Sequence, residues 1–128
     1  MPKVSRDGAR GGGEFGPVTD RSHEFDGYTV SFVSFHQDID ARPLLKGLPD
    51  DRCQCPHWGY VLSGRMTFEY PDGAEVYEAG DAFYTPPGHA PVKHDPGTEI
   101  VMFSPTHELQ ETEEAMQRNM QAMQAGQA

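Results

Sequence analysis

Cys53, Cys55 and His57 occupy alternate positions at the start of Cys-Gln-Cys-Pro-His-Trp-Gly-Tyr-Val-Leu-Ser-Gly, the run from Cys53 to Gly64. Thiolate and imidazole are the donors that zinc and other borderline transition metals prefer. The run also holds both cysteines of the chain and its only tryptophan. In an extended segment alternate side chains share a face, so the three donors are expected to point the same way. Residues two apart along a strand are roughly 7 Å from each other. One ion therefore reaches all three only if the chain bends at Pro56; otherwise only some of them are ligands. The competing reading is packing, because a free cysteine behaves as a small hydrophobe. The cofactor this donor set points to is a divalent metal, zinc first and iron second.

The elements that must position these donors read as strands. Tyr28 to Phe35 is rich in β-branched and aromatic residues, and Tyr60 to Leu62 is a short apolar strand ending at Gly64. Arg65 to Tyr70 alternates, with Met66, Phe68 and Tyr70 on one face. Pro71-Asp72-Gly73 has hairpin-turn chemistry. Glu75 to Glu78 returns as the partner strand, Ala82 to Thr85 is another, and Pro86-Pro87-Gly88 stops it. Thr98 to Phe103 is a last strand, apolar enough to be covered on both faces. Arg42 to Asp51 carries two prolines and a glycine and is expected to be a loop delivering the chain to Cys53. Short strands with tight turns predict an all-β sandwich or barrel. Ser104-Pro105 is expected to open a C-terminal helix, with Leu109, Met116, Met120 and Met123 along one side. That helix is expected to lie across the barrel or form a dimer seam.

Three regions are expected: a flexible glycine-rich lead-in over residues 1–22, a barrel over 23–104, and a helix with a fraying tail over 105–128. The 128 residues suit one domain with one core. The formal charge of -10 repels phosphate backbones and anionic lipid, so neither nucleic acid nor a membrane surface is an expected partner. The first residues hold no apolar run, which gives no signal peptide and a cytoplasmic location as the expectation. Cytoplasmic thiols stay reduced, and a Cys-x-Cys pair is a poor disulfide candidate. Small sheets hide their edges, which predicts a homodimer formed through them.

Gly80-Asp81-Ala82-Phe83-Tyr84-Thr85-Pro86-Pro87-Gly88 resembles the second signature of the cupin superfamily, and Tyr60-Val61-Leu62-Ser63-Gly64 is similar to the end of its first. The resemblance covers residues 51–104 and implies a cupin-type β-barrel, or jelly roll, with the C-terminal α-helix appended. It also implies a range of roles, from metal-dependent dioxygenases, isomerases and decarboxylases to non-catalytic binding domains. The family's metal positions are altered here. Its glutamate falls on His57, its second histidine on Cys53, its first on Asp51 and its last on Pro91, which has no donor atom. His89 lies two residues earlier, on the same side if the strand stays extended. A rearranged metal site of Cys53, Cys55, His57 and His89 is the resulting expectation.

Trp58, Tyr60, Tyr70 and Tyr84, with Phe68 and Phe83, are candidates to line a pocket for a small organic ligand in the barrel mouth, although Phe68 and Phe83 are expected to be core. Asp51, Glu69 and Glu75 are candidate bases or solvated carboxylates. His94 is expected in an exposed turn, and His23, His36 and His107 on the surface. No serine triad, phosphate loop or nucleotide fingerprint occurs. The functional expectation ranked first is a barrel binding a metal ion or small ligand. A metal-dependent enzyme of the dioxygenase or isomerase kind comes second, and a metal-free structural or sensing barrel third.

Overall fold

The computed structural model describes residues 3–126. Nine strands and one helix follow in order: β1 (Gly11–Phe15), β2 (Val18–Phe25), β3 (Tyr28–Phe35), β4 (His57–Ser63), β5 (Arg65–Tyr70), β6 (Gly73–Glu78), β7 (Ala82–Thr85), β8 (Ala90–His94), β9 (Thr98–Pro105) and α1 (Thr106–Gly126). Two 3-10 turns, Arg42–Leu45 and Pro49–Asp51, break up the proline-containing segment before Cys53. All strand pairs are antiparallel. They form a six-stranded sheet in the order β1-β2-β3-β9-β4-β7 and a three-stranded sheet in the order β6-β5-β8.

The barrel expected from the sequence is thus a two-sheet jelly roll, whose sheets face each other without hydrogen-bonded closure into a cylinder. Inward residues from both sheets, Val33, Val61, Met66, Phe68, Tyr77, Phe83 and Ile100, make the main core. A second cluster of Leu45, Cys53, Cys55, Ala90 and Leu109 lies under α1. Packing inside the jelly roll is tight at Gly59, within β4. At Gly59 a Cβ would run into the Phe83 ring and sit 2.7 Å from the Val101 carbonyl oxygen.

Several sequence expectations change. Within the lead-in expected to be flexible, residues 11–15 and 18–22 are paired strand, and the glycines serve close packing there. A Cβ on Gly12, whose φ is +87°, would collide with the Asp20 carbonyl, and one on Gly11 would lie 2.9 Å from the Ser22 carbonyl oxygen. Residues 1–2 of that lead-in and 127–128 of the expected fraying tail lie outside the described residues. Ser104 and Pro105 end β9 instead of opening the helix, because Ser104 pairs with Thr29 and turns its side chain inward. His94, expected in an exposed turn, is the last residue of strand β8. His94 is therefore buried, its ring stacked on Phe35 with centroids 4.0 Å apart and Nδ1 donating to the Ile39 carbonyl at 3.0 Å. His23, His36 and His107 are exposed, as expected.

Candidate metal centre

Cys53 precedes β4 and forms an isolated antiparallel bridge with His89, which precedes β8. The Cys53 N–H donates to the His89 carbonyl at 2.9 Å, and the Gly88 N–H donates to the Cys53 carbonyl at 2.8 Å. This bridge joins the lead-in of one sheet's strand to that of the other's. Beside it, the first residue of β4 is His57, directed inward and paired in register with Thr85 of β7. The ligand atoms of Cys53, His57 and His89 all lie within 4.8 Å of one another, and all three residues are buried. Cys53 Sγ is 3.9 Å from His57 Nε2, and the two imidazole centroids are 5.1 Å apart.

Both rings are held by their other nitrogen. His89 Nδ1 lies 2.8 Å from the Pro86 carbonyl oxygen, which can only accept, so Nδ1 carries the proton and Nε2 is a bare lone pair. His57 Nδ1–H can donate to Ser104 Oγ at 2.6 Å, with the same effect on its Nε2. Imidazole ligands are oriented in this way by a partner on the remote nitrogen. Burial pushes the His57 pKa down to about 3, with His89 adding to the shift, and burial lowers His89 as well. Both rings are therefore neutral at neutral pH and available as donors. The Cys53 thiol is pushed up by burial, an effect that hydrogen bonds to Thr112 and the Cys55 carbonyl oppose. Its Sγ lies 3.4 Å from Thr112 Oγ1 on α1.

Cys55 does not belong to this group. Residues 54–56 leave the strand, and Cys55 Sγ ends on the far side of the His57 ring, 3.9 Å from Nδ1 and 3.4 Å from the Pro56 carbonyl. Burial, then Cys53 and Glu108, push its thiol up to about 12. Both cysteines are free thiols. Asp51 is exposed, and its carboxylate accepts the Gly47 N–H at 2.9 Å.

The aromatic pocket is also redrawn. Trp58, Tyr60 and Tyr84 are 46, 44 and 47% exposed. They alternate with the inward-facing His57, Val61 and Thr85, so the strand period places them on the outer face of the sheet. Tyr70 does face the interior, where its hydroxyl pairs with that of Tyr77 at 2.7 Å. The sequence reading missed Ser104, Thr112 and Thr85 as neighbours of the site. Ser104 continues the inward alternation of Ile100 and Met102, and Thr112 lies one turn beyond Leu109 on the same helix side. Thr85, fully buried, has a hydroxyl without a hydrogen-bond partner among the described residues. Its register opposite His57 puts it on the same face as the metal-ligand candidates.

Cys53, His57 and His89 form a group of donors that could hold a metal ion. No helix among the described residues is long and apolar enough to cross a membrane.

Residues 53–102 match a family model described as a cupin domain. No curated protein matches the chain. Among solved structures, the chain is similar to the polyketide cyclase RemF from Streptomyces resistomycificus, with 16% identity, 83% of this chain and 80% of that chain covered, and a TM-score of 0.57. It is also similar to a protein of unknown function from Rhizobium leguminosarum bv. viciae 3841, with 16% identity, 81% and 95% covered, and a TM-score of 0.60. An RmlC-like cupin from Shewanella frigidimarina NCIMB 400 shares 18% identity, with 82% and 91% covered and a TM-score of 0.57. At these identities the likeness is one of fold. The residues matched to the cupin-domain model span the whole Cys53–His57–His89 group.

Proposed function

We propose that this protein binds a divalent metal ion, zinc first and iron second, through Cys53 Sγ, His57 Nε2 and His89 Nε2. The observation that carries the reading is the convergence of three buried ligand atoms within 4.8 Å, with each imidazole tied at Nδ1 so that Nε2 is free to coordinate. With packing alone, the His57 Nε2 lone pair has only the Cys53 thiol at 3.9 Å as a partner, a long and weak hydrogen bond. The ligand set needs a thiolate, so the reading includes a reducing compartment such as the cytoplasm.

A second reading, a metal-dependent enzyme of the dioxygenase or isomerase kind, is favoured by the number of donors. With Cys55 outside the group, three protein atoms leave a position for substrate, water or oxygen. A metal there would act as a Lewis acid or redox centre. Around it, Thr85 and Thr112 would present hydroxyls to a bound small molecule. The solved structures of similar fold include a cyclase and an RmlC-like cupin, and this variety selects no reaction for the chain.

The test is elemental analysis of protein purified without oxygen, beside Cys53→Ala, His57→Ala and Cys55→Ala. Near one equivalent of metal, lost in the first two variants and kept in the third, is the expected result. Negligible metal in the parent protein, even after supplementation with zinc or iron, would leave the metal-free barrel as the reading.

A further inference from the structure

Thr85 ends β7 with a side chain that is completely buried, and its hydroxyl finds no hydrogen-bond partner among the described residues. A buried hydroxyl left unpaired is costly, and native interiors keep few of them. Two features of the backbone place this one at the donor group. Thr85 is paired in register with His57, so the two side chains stand on the same inward face of the sheet, about 5 Å apart at Cβ. The next residue, Pro86, carries the carbonyl that holds His89 Nδ1. The hydroxyls in contact with the donors are already engaged. Ser104 meets His57 Nδ1, and Thr112 meets Cys53 Sγ, to which it can only donate once the sulfur is a thiolate. The Thr85 O–H is the donor left over.

Resting on the metal reading proposed above, we infer that the Thr85 hydroxyl hydrogen-bonds a monoanionic oxygen ligand, such as a carboxylate or an enolate, seated on the position that Cys53, His57 and His89 leave open. Charge selects the class. A divalent ion with one thiolate and two neutral imidazoles keeps a single positive charge, and no Asp or Glu among the described residues belongs to the group. Burying uncompensated charge is expensive. A monoanion cancels that charge, a dianion overshoots it, and a neutral amide or amine leaves it standing. An anionic oxygen is also the acceptor to which a hydroxyl donates most strongly.

The test uses the full chain loaded with cobalt(II) and titrated with acetate or with acetamide, its uncharged counterpart, beside Thr85→Val and Thr85→Ser. Acetate should shift the visible cobalt bands saturably, and acetamide should not. Thr85→Val should weaken acetate by about 10- to 100-fold, the usual worth of a hydrogen bond to a charged group, and Thr85→Ser should restore the parent affinity. The metal-free protein gives a second readout. There Thr85→Val, which keeps the shape and drops the unpaired hydroxyl, should raise the urea midpoint. Acetate affinity unchanged in Thr85→Val, or an equal response to acetamide, would overturn the inference while leaving the metal reading in place. A lowered urea midpoint would also overturn it, since the hydroxyl would then have a partner inside the fold. Absence of a thiolate-to-cobalt band from the parent protein would remove the metal reading, and this ligand with it.

Discussion

Ser104 Oγ lies 2.6 Å from His57 Nδ1, and this contact selects which nitrogen of the imidazole meets Cys53 and His89. Ser104 comes from β9 and His57 from β4, adjacent strands whose pairing fixes the distance. In Ser104→Ala the ring loses its anchor. Metal affinity should fall by about 10- to 100-fold, the usual effect of removing a partner behind a ligating histidine. The loss of folding stability should stay near ~1 kcal/mol. Competition against a chromophoric chelator measures the first and urea unfolding the second; an unchanged affinity would remove Ser104 from the site.

Metal should act as a folding ligand. Added at a hundred times its dissociation constant, zinc or cobalt(II) should stabilise the fold by about 2.7 kcal/mol, and a chelator should reverse this. Because both imidazoles are neutral and the Cys53 thiol is pushed upward, the proton released on binding at neutral pH should come from Cys53. Calorimetry in buffers of different ionisation enthalpy counts that proton. A thiolate-to-cobalt charge-transfer band, absent in Cys53→Ala, identifies the sulfur.

Asp20 lies on β2 with Oδ1 buried and without a partner among the described residues, and burial lifts its pKa from 3.8 to about 6. Glu113 on α1 is raised too, by burial and by Asp20. Between 3.8 and about 6 the folded protein holds the proton that the unfolded chain releases, so this group's contribution falls as pH rises and its cost is complete above about 6. Asp20→Asn should therefore stabilise the protein near neutral pH, by about 1–2 kcal/mol after allowance for residual solvent, and have no such effect well below the ordinary carboxylate range. Urea midpoints across pH decide it; a shift of equal size at all pH values would exclude the titration as its origin.

Gly59→Ala should destabilise the fold by about 2–3 kcal/mol, since the Val101 carbonyl, being backbone, cannot move aside as a flexible side chain would. Gly59 is two residues from His57, so the metal content of the folded fraction should fall as well. A melting temperature equal to that of the parent protein would contradict this.

The strands around the site were legible where alternation was clean. Arg65 to Tyr70 and Ala82 to Thr85 are strands with the boundaries read from sequence, because their inward residues pack on one core and their turns carry glycine or proline. β1 was not legible, since three consecutive glycines suggest freedom, whereas here Gly11 and Gly12 permit close approach to β2, a property of the neighbour rather than of the segment. Cys53, His57 and His89 could be picked out by donor chemistry. The exclusion of Cys55 could not, because it depends on where the chain turns between residues 54 and 56. Trp58, Tyr60 and Tyr84 were assigned to the wrong side for a related reason: which face of β4 is interior is set by His57 and Val61 meeting the opposite sheet, and composition alone is symmetric between the two choices.

Helix α1 lies over Cys53, with Thr112 against the sulfur and Leu109 in the cluster beneath it, and Asn119 donates to the Leu44 and Lys46 carbonyls at 2.7 and 2.8 Å. An ion held by the buried Cys53, His57 and His89 would be covered on the Cys53 side by this helix while those contacts hold. Its residence time would then be set by the helix, not by the ligands. Extraction by a chelator should proceed at a rate that does not rise with chelator concentration, and Asn119→Ala should quicken that rate while leaving the three donor atoms untouched.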